Sequence, residues 1–318
     1  MEFRRVLFRS SLLVESWGTF DSRPSRLGLL CVRSGLAEIH NLSANDNYHK
    51  NVMFAERTTT INLGRQAMLK PSVCVDAVLG DLPIGDALRL VKEAGIDAFE
   101  FWAWWEKDLT QLAEARDRYQ LDIAACCTKF VSLVDPATRG DYLFGLQESI
   151  VAARQLKFPT LITQVGDYRA GIPREQQHQC LVDGLKEAAQ LLEVNGVTLV
   201  IEPLNELVDH PGYYLIRSDE AFEIVQEVGS ERVQVVFDIY HQQVSEGHLI
   251  HNITSNIDKI GHFHAAGNPG RHELSKGELH YPAIFEAIRS TGYDGYVGLE
   301  YWPLEEPAVG LREASGWF

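Results

Sequence analysis

Three things are scarce in this 318-residue chain: cysteine, positive charge and long apolar runs. The five cysteines, Cys31, Cys74, Cys126, Cys127 and Cys180, include no C-x-x-C pair, and the adjacent Cys126 and Cys127 suit no disulfide framework. They read as reduced, buried thiols of a cytoplasmic protein. Lys and Arg number 29 against 44 Asp and Glu, for a formal net charge of −15. Such a surface repels a polyanion and argues against nucleic acid as a partner. No stretch reaches the ~18 apolar residues that a membrane span requires. No G-x-G-x-x-G fingerprint follows the first strand candidate, which argues against a dinucleotide-binding open sheet.

What is present is unevenly spread. Residues 1–67 carry nine Lys/Arg and six Asp/Glu, net +3, and the other 251 carry twenty and thirty-eight, net −18. The first segment lacks sustained periodicity and opens "MEFRRVLFRS", which looks like translated adapter sequence. Residues 1–67 are therefore expected to be an extension outside the native fold, with "MLKPSVCVD" at Met68 as the natural start. An Arg- and Ser-rich transit peptide is the rival, but Glu2, Glu15 and Asp21 break its acid-poor pattern. Arg9 interrupts the only early apolar run, so no secretory signal is read.

From Met68 the chain alternates two periods. Strand candidates are 71–79, 97–104, 121–130, 159–167, 196–205, 233–241, 259–267 and 295–303. Between them lie amphipathic runs such as "PIGDALRLVKEAG" and "SDEAFEIVQEVG", several of which end at Gly, a common helix terminator. Eight strand–helix units in 251 residues predict an α/β chain folded as a single-domain (β/α)₈ TIM barrel over 68–318.

Four consecutive strands end on metal-type ligands: "VTLVIE" on Glu202, "VQVVFD" on Asp238, "GHFH" on His264 and "YVGLE" on Glu300. The gaps of 36, 26 and 36 residues are each about one βα unit. In a barrel these strand ends converge on one rim. Three carboxylates and an imidazole there repel one another unless a cation sits between them. An oxygen-rich set with one nitrogen suits Mn²⁺ or Mg²⁺, and also Co²⁺, better than a structural zinc. One such acid alone reads more simply as a helix cap or a solvated loop residue; the four together predict a shared metal site.

Other rim residues keep two readings. His241 is a hydrogen-bond donor or substrate contact, or a rim histidine bonded to backbone. Arg271, after a Gly- and Pro-rich loop, holds an anionic or hydroxyl-rich substrate, or is a plain surface arginine. Lys129 holds a substrate carboxylate or is a solvated rim lysine. Trp102, Trp104 and Trp105 wall the pocket or pack between barrel and helices. His262 lies one layer deeper than His264 and reads as structural.

At these residues a resemblance emerges. "IEPLN", "FDIYHQQ", "HFHAAGNPGRHEL", "GELHYPAIF" and "GYVGLEYWP" resemble, in order and spacing, the hydroxypyruvate isomerase-like branch of the xylose isomerase-like barrel superfamily. The resemblance covers residues 68–318 and is densest from 196 to 303. It implies one divalent metal on Glu202, Asp238, His264 and Glu300, with Glu202 and Glu300 as the acid–base pair. His241 and Arg271 match substrate-contacting positions. The implied reaction is aldose–ketose isomerisation by enediolate proton transfer, with hydroxypyruvate and tartronate semialdehyde as the expected pair. Ketose 3-epimerases and 2-oxo-tetronate isomerases are the near rivals. The related epimerases carry a further acid six residues after the first metal glutamate, where this chain has Val208 followed by Asp209. An abasic-site nuclease of the superfamily needs more ligands and a basic surface, against a net −18 here. A non-catalytic sugar-acid binding protein does not account for both glutamates. The expected partner is a small sugar or sugar acid, with no nucleic acid and no membrane; a homo-oligomer stays open.

Overall fold

The computed structural model describes residues 68–80 and 82–318. The extension expected over 1–67, and Cys31 within it, lie outside the described residues. Eight parallel strands close into a barrel in sequence order, each paired with its chain neighbours and the last with the first. They are β1 (Lys70–Cys74), β2 (Ala98–Ala103), β3 (Asp122–Cys127), β4 (Thr160–Thr163), β5 (Thr198–Ile201), β6 (Val233–Asp238), β7 (Ile260–Ala265) and β8 (Tyr296–Leu299).

The helices are α1 (Val75–Val78), α2 (Ile84–Glu93), α3 (Leu109–Tyr119), α4 (Arg139–Leu156), α5 (Arg174–Asn195), α6 (Ser218–Val228), α7 (Ile239–Ser245), α8 (Leu249–Ser255), α9 (Tyr281–Ser290) and α10 (Pro307–Ser315). The predicted Gly stops hold at α5 and α6, where Gly196 and Gly229 take positive φ as C-caps. Among the described residues, no helix is long and apolar enough to cross a membrane. Cys74, Cys126, Cys127 and Cys180 are free and buried.

Alternation within the strands sorts side chains into two interiors. Outward-facing Phe99, Phe101, Leu161, Leu199, Phe237, Phe263 and Leu299 join the apolar layer between strands and helices. Inward-facing Ala125, Cys127, Ile162, Val200 and Val236 form a separate small cluster inside the barrel. Polar Ser72, Glu100, His262 and His264 also face inward, and all are buried.

The strands are shorter at their C-terminal ends than periodicity predicts. The expected strand 71–79 stops at Cys74 and continues as α1, and the expected strand 233–241 stops at Asp238 and continues as α7. The run 121–130 stops at Cys127. A short buried apolar run fits a helix as readily as a strand, and here the helix wins because the chain must turn outward at the rim. Two helices, α7 and α8, join β6 to β7 where one was expected.

Candidate metal centre

Asp238 shows how a strand ending builds this site. Its Oδ1 accepts from the backbone N–H groups of Tyr240 at 2.8 Å and His241 at 3.0 Å, which caps α7. Its Oδ2 is left to face the barrel mouth, 3.6 Å from His241 Nε2. The acid is both a helix cap and a member of the candidate metal cluster.

Register brings the others beside it. Asp238 pairs with His264, and His264 with Gly298; two residues on, Glu300 returns to the same face. Glu202 follows β5 directly. One ligand atom from each of Glu202, Asp238, His264 and Glu300 lies within 4.8 Å of all the others, and all four side chains are buried. Two unit charges 4.8 Å apart repel by about 3.5 kcal/mol at an effective dielectric constant of about 20. Three carboxylates therefore need a positive centre.

The surrounding ionisations report that excess of negative charge. Burial pushes the Asp238 carboxyl up to about 6 against the pull of Arg271. Burial opposes a charged His264 ring, but Glu300 and Glu100 outweigh it and hold the imidazole well above its ordinary range. Burial also opposes a charged Glu300, and Arg271 and His264 hold it well below the carboxylate range. His264 Nδ1 has no hydrogen-bond partner among the described residues, and sits 3.4 Å from both Glu202 Oε1 and Glu300 Oε2. A buried, unpartnered ring nitrogen among three carboxylates is a set of groups that could hold a metal ion.

Each glutamate has one oxygen tied to a neutral donor and the other turned to the shared centre. Glu300 Oε1 accepts from Trp102 Nε1 at 2.7 Å, and Glu202 Oε2 from Gln164 Nε2 at 3.2 Å. Gln164 was missed by sequence reasoning, although a signal existed: it follows Thr163 of β4, which pairs with Ile201, just before Glu202. Below the cluster Glu100 Oε2 accepts from Ser72 Oγ at 3.0 Å and contacts His262 Nε2 at 2.8 Å, while Oε1 lies 2.9 Å from His264 Nε2. Gly298 makes room for it, since a Cβ there would lie 2.2 Å from Glu100 Oε1.

Arg271 joins the centre. Its Nη2 pairs with Glu300 Oε2 and lies 3.4 Å from Asp238 Oδ2, and its Nε donates to the Glu300 carbonyl at 3.2 Å. It holds φ 55°, a left-handed conformation that costs a non-glycine residue roughly 1–2 kcal/mol. The aimed guanidinium lies 5.4 Å over the Tyr240 ring. Trp302, exposed at the rim, meets Trp102 edge-on at 5.9 Å. Trp104 instead packs on α4 through Ser149, and Trp105 meets Phe130.

Of the two readings kept for Lys129, the structure shows a partly exposed lysine in an ion pair. Its Nζ pairs with Glu148 of α4 at 2.6 Å and lies 5.5 Å from the Trp104 ring. The reason is that β3 ends at Cys127, so Lys129 falls in the loop beyond the rim beside an acid of its own.

A barrel of this kind has known counterparts. The model of the xylose isomerase-like TIM barrel family matches residues 88–318, and this chain belongs to that family. Over 177 residues it is 37% identical to the hydroxypyruvate isomerase of Escherichia coli (strain K12), covering 56% of this chain and 68% of that one. Over 182 residues it is 43% identical to a 2-oxo-tetronate isomerase of Cupriavidus necator, covering 57% and 68%. Among solved structures, an AP endonuclease, family 2, from Brucella melitensis superposes with TM-score 0.75 at 26% identity, covering 78% of this chain and 99% of that one.

Proposed function

We propose that this barrel is a divalent-metal-dependent isomerase of small sugar acids that interconverts hydroxypyruvate and tartronate semialdehyde (2-hydroxy-3-oxopropanoate). One observation carries the reading: Glu202 and Glu300 meet at a single centre, each held by a neutral donor on its other oxygen. Two carboxylates so placed can share a proton transfer between neighbouring carbons. One takes a proton from C3 of hydroxypyruvate; it or its partner returns a proton to C2. The C3 hydroxyl proton passes to the C2 oxygen, so the two isomers differ only in where the carbonyl stands.

A divalent ion held by Glu202, Asp238, His264 and Glu300 would supply Lewis-acid polarisation of the carbonyl; Mn²⁺ or Mg²⁺ fits the oxygen-rich set, and Co²⁺ after them. Trp102 and Gln164 keep the glutamate oxygens aimed. Arg271 is the group for the substrate carboxylate, a role Lys129 does not share in this reading. Trp102 and Trp302 wall the apolar side. Free buried thiols support a reducing, cytoplasmic setting.

The 43% identity with a 2-oxo-tetronate isomerase favours a second reading, the same chemistry on a four-carbon sugar acid. A nuclease reading is not supported by a barrel of net −18. The metal-like groups among the described residues are two that share His264. The test strips the protein of metal, reloads it with Mn²⁺ or Mg²⁺, and follows hydroxypyruvate, a 2-oxo-tetronate, fructose and tagatose in D₂O by NMR. Metal-dependent tartronate semialdehyde with deuterium at C2 supports the first reading. Turnover of the tetronate alone moves the protein to the second. A C3-epimerised ketose with no sugar-acid turnover overturns both.

A further inference from the structure

His241 is fully buried, and its Nε2 has no hydrogen-bond partner among the described residues. The other ring nitrogen is surrounded. Asn205 Nδ2 lies 2.7 Å from His241 Nδ1, and the Asn205 backbone N–H donates to the same nitrogen at 3.3 Å.

The orientation of the Asn205 amide is settled by groups that have no choice of role. Its Oδ1 accepts from the backbone N–H of Val208 at 3.0 Å and of Asp209 at 3.1 Å. Backbone N–H groups only donate, so that atom is the oxygen. Its Nδ2 donates to Asp209 Oδ2 at 2.7 Å, an acceptor that Tyr240 Oη also reaches at 2.8 Å. One amide hydrogen goes to Asp209, and the other points at His241 Nδ1. With two donors aimed at it, Nδ1 must be the bare nitrogen, and a neutral imidazole then carries its hydrogen on Nε2.

We propose that Asn205 is a positioning residue that locks His241 in the Nε2–H tautomer, making it a one-way hydrogen-bond donor into the site. The complementary substrate atom is an oxygen that accepts: a carbonyl, a carboxylate or an oxygen gaining negative charge. Nδ1 faces an amide, and the nearby carboxylate of Asp238 lies 3.6 Å from Nε2 instead, so no acid backs His241 as it would back a general base, and proton transfer stays with Glu202 and Glu300. Asp209 anchors the lock from outside. The naming of the oxygen rests on the sugar-acid reading above; the tautomer does not.

The full-length protein, labelled with ¹⁵N at histidine, is examined at neutral pH by long-range ¹H–¹⁵N correlation. The His241 signals are those lost in His241→Gln. The expected pattern is a protonated Nε2 and a bare Nδ1; a wild-type Nδ1–H tautomer overturns the proposal. The charge-neutral exchange Asn205→Asp with Asp209→Asn turns the facing group into an acceptor. It is expected to move the proton to Nδ1 and to lower kcat/KM for hydroxypyruvate about 100-fold, the scale of one lost oxyanion donor. An unchanged tautomer in the folded double variant also overturns the proposal. If that variant does not fold, the wild-type spectrum decides alone. No turnover by a wild type that shows the Nε2–H tautomer sinks the substrate reading and leaves the lock standing.

Discussion

Phe237 and Asp238 are chain neighbours and both are buried, yet they belong to different interiors. Phe237 points outward and stacks on Phe222 of α6 at 6.5 Å, in the layer that joins strands to helices. Asp238 points into the barrel mouth among two glutamates, a histidine and an arginine. The outer layer is held by area removed from water, about 25 cal/mol per Å². The inner set is the opposite case, buried charge that is costly unless compensated. Stability is thus concentrated outside the barrel wall and the proposed chemistry inside it, one residue apart.

Substitutions on the two sides should separate these roles. The largest effect on turnover belongs to Glu202→Gln and Glu300→Gln. Each should lower kcat by about 10²–10⁴, the usual weight of an acid–base group. Each should shift the melting temperature by no more than about 5 °C, a few kcal/mol at this size. Steady-state kinetics and thermal melts of the same samples check both halves, and near-normal turnover in both variants would defeat the mechanism. Phe285→Ala, in the outer layer on α9 against Tyr281 and Phe318, should do the reverse. A loss of about 3–5 kcal/mol is expected in denaturant titration, with kcat per folded molecule nearly unchanged.

Gly298→Ala tests the wall between the two. The added methyl collides with Glu100, and about 1–3 kcal/mol of stability should be lost to overpacking. Weaker metal binding by calorimetry should accompany it, because Glu100 also contacts His264. The smallest effect is expected from Lys129→Ala, with kcat/KM for hydroxypyruvate within about threefold of wild type, because Lys129 pairs with Glu148 at a partly exposed position and an ion pair of that kind carries little energy. A tenfold loss would bring Lys129 back to the substrate.

The outer layer was the more legible of the two. The 3.6- and 2-residue periods located all eight strands because apolar burial leaves a repeating trace. Element ends were less legible: 75–78 and 239–241 carry mostly buried side chains that suit either conformation, and the turn at the rim decided for helix. The four candidate ligands could be read because they recur at one position in successive units. Gln164 occupies the same position after β4 but carries no charge to draw notice. Asn205 reads as a loop residue until His241, 36 positions later, is folded against it.

The sequence by itself determined the barrel, its strand order and the rim that would carry three acids and a histidine, since all are set by local period and spacing. Only the tertiary structure decided which neutral groups aim those acids, that Arg271 turns into the centre while Lys129 pairs with Glu148, and which nitrogen of His241 faces the site. Those choices depend on contacts between residues far apart in the chain, where a displacement of one or two ångströms makes or breaks a hydrogen bond and periodicity carries no information.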